Sequence, residues 1–166
     1  MFDFRQLAEQ TGVVRAAVAG VLRSMDGRAD VIPPGWKNNA RWHAGHLVLV
    51  PRLLSLGLSG RPLGVADDYR RWFAKDTGPA SWAPDDAVPS FEYLVDELAA
   101  TTGELFAAFE SREDEPFATP YLTLIGATLR TPAEGLSFSM VHDGIHLGML
   151  LALRRDLATA GAALQG

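Results

Sequence analysis

The chain has 166 residues, no cysteine, and 20 acidic against 15 basic side chains. That length lets one domain, expected to span residues 1–166, bury about two-thirds of the surface its unfolded form exposes, so its core needs no disulfides. The missing cysteines exclude a thiolate metal ligand and a protein thiol nucleophile, and a net charge of −5 with scattered cations argues against a nucleic-acid partner.

The densest basic groups are the pairs Arg70-Arg71 and Arg154-Arg155, read as decoration of solvated helix faces. The opening MFDFRQLAEQ carries acidic and amide residues where an export signal needs a basic start and an apolar core. No apolar run approaches the roughly 18 residues of a membrane span. The expectation is a cytoplasmic protein without a membrane partner.

From Asp3 to about Met25, Phe4, Leu7, Val14, Val18 and Leu22 recur at helical spacing, and Asp26-Gly27 supplies a stop. Pro33-Pro34-Gly35 marks a loop. A second helix is predicted from Lys37 or Asn38 to about Leu58, with Asn39, His43, His46, Val50 and Leu53 or Leu54 on one face. Pro51 lies inside it and is expected to kink it about a turn beyond His46. Residues 61–90 lose periodicity and read as a long crossover connection, in which DDYRRWFAK can form a short helix and Trp72, Phe73 and Trp82 pack as anchors.

Ser90 caps a third predicted helix to about Ser111, with Phe91, Leu94, Leu98, Thr102, Leu105 and Phe109 inward. The segment after it is expected to be extended or coiled. Thr131, Pro132 and Glu134 then carry the signals of a capping box, and a fourth helix runs to about Ala158 or Thr159. Its expected inward stripe is Phe138, His142, Ile145, His146, Met149 and Leu153.

All four histidines fall in two of these helices, as RWHAGHL and VHDGIHLGM. Spacings of three and four put both imidazoles of each pair on one helix face, where nitrogens from two helices can converge on a divalent cation. Burying several imidazoles without partners leaves polar groups unsatisfied at about 1 to 3 kcal/mol each, whereas a shared cation turns that cost into binding energy. The alternative is a helix pair joined by histidine hydrogen bonds alone. His142 and His146 form the stronger pair, and one of His43 and His46 supplies a third nitrogen, leaving an open position for water or substrate. Asn39, Asp143 or a loop carbonyl would fix the imidazole tautomers, although Asn39 also serves as an ordinary helix-start residue. Trp42 reads as core, and Gly45 and Gly148 point to close helix approach near the site.

NNARWHAGHL and LSFSMVHDGIHLGMLLALRR together resemble the two signature regions of the DinB-like (DinB/YfiT) superfamily, a likeness that extends over nearly the whole chain. The resemblance implies an all-α, four-helix bundle with a long crossover between its second and third helices. It also implies a divalent metal, zinc or nickel, on His46, His142 and His146, with His43 a neighbour. Asp143 stands where glutamate is common in the family. Characterised relatives attach low-molecular-weight thiols to electrophiles or use such a thiol as cofactor. The implied function is therefore a metal-dependent thiol S-transferase acting on a small-molecule substrate with an external thiol cosubstrate. The alternatives are a metal-dependent hydrolase and a non-catalytic metal-binding stress-response protein. Family members often pair through bundle helices, so a homodimer is expected.

Overall fold

The computed structural model describes the backbone of residues 3–163 and side chains as far as 159, so positions 1–2 and 164–166 of the expected domain span lie outside the described residues. The fold is mostly helical. Helix α1 is Phe4–Arg23, α2 is Ala40–Arg52, a short α3 is Asp68–Phe73, α4 is Phe91–Phe109 and α5 is Pro132–Ala163. A two-stranded antiparallel hairpin, β1 (Tyr121–Leu122) and β2 (Thr128–Leu129), precedes α5.

Each long helix starts where its capping chemistry places it. Asp3 accepts from Arg5 N and Gln6 N, Asn39 from Trp42 N, and Ser90 from Tyr93 N. Thr131 Oγ1 accepts from Glu134 N, while Glu134 Oε2 accepts from Arg130 N. Asn39 is therefore a cap, and the predicted start at Lys37 or Asn38 moves to Ala40. Gly27, at φ +75°, makes the turn after α1 that a side chain would strain.

Both α1 and α2 pack against α4 and α5, so the order round the bundle is α1, α4, α2, α5. One apolar cluster holds Val18, Leu22, Leu47, Leu94, Leu98 and Leu153, and a second holds Leu7, Leu105, Phe109 and Leu136. Between them lie buried polar side chains, including Thr11, Arg15, Ser139 and Asp143. Along α4 the buried threonine is Thr101, fully covered and bonded to the Glu97 carbonyl, whereas the expected Thr102 is half-buried.

The second helix does not run on to Leu58 as an α-helix. After Arg52 it widens to a π-helix over Leu53–Gly57, with Leu58 N bonded to Leu53 O. Pro51 lacks an N–H, so the ladder bond to the Leu47 carbonyl cannot form. Arg15 Nη2 takes that carbonyl instead, at 2.7 Å. The displaced π-helix backbone also needs room from α5: a Cβ on Gly135 would collide with the Leu54 carbonyl oxygen.

The inward face of α5 differs from the expected stripe. From Leu136 onward the buried positions are Leu136, Ser139, Asp143, His146, Leu150, Leu153 and Leu157, a three-four repeat, while Ile145 and Met149 are exposed and Phe138 and His142 half-buried. The reason is an ion pair. Asp143, fully buried, accepts from Arg15 Nε at 2.8 Å, and this contact turns the helix about its axis relative to a phase read from the histidines. From Pro132 to Thr159 the helix is long and apolar enough, by length and composition alone, to cross a membrane, which the absence of a long unbroken apolar run had hidden. In the fold one face of it packs against α1, α2 and the π-helix, and a third of that stretch is buried.

Candidate metal centre

Helix α2 is buried on nearly all sides and delivers His43 and His46; α5 delivers His142 and His146. The rings of His46, His142 and His146 are neighbours, with centroids 4.4 to 5.2 Å apart. One nitrogen of each lies within 4.8 Å of the other two.

One contact fixes the His46 tautomer, and a second bears on His146. The Phe73 carbonyl lies 2.6 Å from His46 Nδ1 and can only accept, so the His46 proton sits on Nδ1 and its Nε2 presents a lone pair. Phe73 ends α3, so the loop carbonyl expected among the tautomer-fixing groups comes from the crossover connection, through the residue predicted to anchor it. His43 Nδ1 lies 2.9 Å from His146 Nδ1. When His146 donates in that contact, its Nε2 is left free to ligate. Trp42 stacks on His46 at 4.5 Å, nearly parallel, and is itself core.

The donor set fits a divalent cation. His46 Nε2 and His142 Nε2 are 3.3 Å apart, and two nitrogens each about 2.0 to 2.1 Å from one tetrahedral ion are about 3.3 to 3.4 Å from each other. A single hydrogen bond accounts for less of the cluster than a shared ion does. A hydrogen bond between those two Nε2 atoms would serve one pair of rings and leave the third, His146, outside it, while His142 Nδ1 is buried with no partner among the described residues whichever group lies on its Nε2.

Neither Asp143 nor Asn39 hydrogen-bonds an imidazole; the first is held by Arg15 and the second caps α2. Arg15 was not singled out from sequence. Its guanidinium reaches the residues next to two histidines, Asp143 beside His142 and the carbonyl of Leu47 beside His46, and also the Leu98 carbonyl of α4. Its register with Leu7, Thr11, Val18 and Leu22 was the available signal. Gly45 bears out close approach, since a Cβ there would strike the Phe73 ring, whereas Gly148 faces open space and has no such cause.

Beside the histidines opens a cavity of about 530 Å³, reached by His46 and His142 and bounded by the π-helix, α5 and the hairpin. A depression of similar size at the α1–α4 end, near Phe4 and Phe106, contains no histidine.

Burial holds the imidazoles neutral. It lowers His43 to about 4 with help from His46, and His142 to about 3 with help from His46 and Arg15. It lowers His146 to about 2 with help from the other histidines, and lowers His46 against the pull of the Phe73 carbonyl. Between these values and the unfolded 6.5, the unfolded chain binds more protons, so stability falls as pH falls. The metal-free protein is expected to lose stability from about pH 6.5 downward, by about 1.4 kcal/mol per pH unit for each such histidine. Thermal midpoints in chelator across pH 8 to 5 check this, and a flat profile would contradict it.

A family model described as the DinB superfamily matches residues 6–150. Comparison with curated proteins gives no match.

Proposed function

This chain belongs to the DinB superfamily, and from that premise we propose that it is a divalent-metal-dependent enzyme joining the sulfur of an external low-molecular-weight thiol to an electrophilic carbon. His46, His142 and His146 are the proposed ligands, and zinc or nickel the proposed ion. The carrying observation is the buried three-histidine group beside an apolar cavity. A divalent ion on three imidazoles lowers the pKa of a bound thiol and so supplies a thiolate at neutral pH.

The chain's own residues do the rest. The Phe73 carbonyl and His43 fix ring protons on the side away from the shared centre, and Trp42 holds the plane of His46. Apolar walls keep water from a reactive sulfur. With no cysteine in the chain, the nucleophile comes from the cosubstrate. Hydrolysis is the weaker reading, because no Asp or Glu lines the cavity among the described residues, and Asp143, the acid nearest in sequence, is held by Arg15. The same proposal places the protein in the cytoplasm, with a small-molecule substrate, no nucleic-acid or membrane partner, and two copies pairing through bundle helices.

The test is consumption of a chromogenic aryl halide by metal-loaded protein, with and without a small thiol. Thiol-dependent turnover that stops on chelation is the expected result. Ester or amide turnover without thiol would replace the proposal with hydrolysis, and bound metal with no turnover in either assay would leave a metal-binding protein without catalysis.

A further inference from the structure

The cavity beside the histidines has a composition unlike the rest of the surface. Its walls are apolar: Val50 and Leu54 from α2 and the π-helix, Phe138 and Ile145 from α5, and Leu124 and Ile125 from the hairpin turn. Three of these are side chains that folding ordinarily covers, yet Leu124 is 78% exposed, Ile125 66% and Ile145 49%. Apolar groups left uncovered round a concave site mark a ligand surface, and about 530 Å³ lies within the usual range of small-molecule sites, about 300 to 1,000 Å³.

The only charged side chains lining this cavity, among the described residues, are Arg70 and Lys75. In a chain with five more acids than bases, that is a local reversal of sign. The neighbouring Arg71 is neutralised by Asp86 and Asp68, but among the described residues Arg70 makes no ion pair or side-chain hydrogen bond, and Lys75 meets only exposed Asp76. The two cations sit on α3 and just after it, either side of Phe73, whose carbonyl holds His46. A headgroup held by them is therefore close to the histidine cluster.

We propose that the electrophile entering this cavity is an amphiphilic anion, an aliphatic or aryl body carrying one carboxylate or similar group. The apolar walls and hairpin turn cover the body, and Arg70 and Lys75 meet the charge. This deepens the thiol-transfer reading and rests on it only in calling the ligand an electrophile; recognition of the anion belongs to the cavity itself.

Binding of decanoate, decanol and succinate to the full chain, by displacement of an anionic naphthalene sulfonate dye, tests it with and without chelator. Decanoate should bind at least about tenfold more tightly than decanol, and succinate should not compete. Arg70→Gln with Lys75→Gln should weaken decanoate about tenfold and leave decanol unchanged, while Ile145→Asp should weaken both. Equal affinity for decanoate and decanol overturns the proposal, as does competition by succinate. A decanoate preference that disappears with the metal also overturns it, since the ion and not the two cations would then be reading the headgroup. A preference that survives chelation upholds it even where no thiol transfer is found, and turnover by a protein that binds neither ten-carbon probe sinks this inference alone.

Discussion

Alanine at His46, His142 or His146 is expected to abolish stoichiometric metal binding, whereas alanine at His43 should weaken it and leave it measurable. Protein zinc sites bind with about 10 to 16 kcal/mol in total. Losing one of three protein ligands forfeits about a third of that, roughly 4 kcal/mol or a thousand-fold in affinity. His43 touches the cluster through His146 Nδ1, and loss of such an orienting partner costs about 10 to 100-fold. Competition titration against a chromogenic chelator, on protein purified without an affinity tag, reads both numbers. If His43→Ala proves as damaging as His146→Ala, the assignment of ligands is wrong. Each variant also carries its own control for folding: it removes an imidazole that resists protonation, so below pH 6.5 the metal-free variant should lose less stability than the parent.

Arg15→Met should be the most destabilising of the conservative core substitutions outside the histidines. The guanidinium is 3% exposed and gives hydrogen bonds to α2, α4 and α5. Burial pushes the Asp143 carboxyl up, against the pull of Arg15, so methionine leaves that group and the Leu47 carbonyl, which Pro51 deprives of its ladder donor, without a donor. Breaking a buried pair from one side costs about 3 to 5 kcal/mol, which for a chain of this size lowers the thermal midpoint by about 10 °C. Adding Asp143→Leu should recover much of the loss, because an apolar pair of similar volume is often neutral. Denaturant midpoints for the two single variants and the double form the cycle that separates pair from parts. Additive losses would show that Arg15 acts through packing alone.

The histidine spacing announced the site because each pair fell three or four apart on a helix the fold did contain. Where sequence periodicity failed, the helix was apolar on more than one side. On α5, Leu136, Leu150 and Leu157 compete with Phe138, Ile145 and Met149 for the inward face, Leu153 fitting either phase, and only a buried acid breaks the tie. Asp143 is a charge, which pattern reading turns outward; its cation is 128 positions away, beyond the reach of any local rule. The cavity was unreadable for a related reason. Its hairpin wall comes from two-residue strands too short for alternation to register, and its two cations come from a connection without periodicity. In the connection itself, the aromatic cluster of Trp72, Phe73 and Trp82 did foretell anchoring: the first two are buried and Trp82, half-buried, packs against the core.

The proline in α2 sets an order in which this interior can change over time. Once residue 51 has no amide hydrogen, the oxygen of Leu47 depends on a donor from another helix, and Arg15 is that donor. An ordinary residue at 51 would give the oxygen a local donor and leave the arginine held by Asp143 and the Leu98 carbonyl alone. A lineage that lost the arginine first would strand an acceptor in a dry interior at about 1 to 3 kcal/mol. The proline at 51 is therefore cheap only where the arginine is already in place, and of the two positions 15 is the costlier to change first.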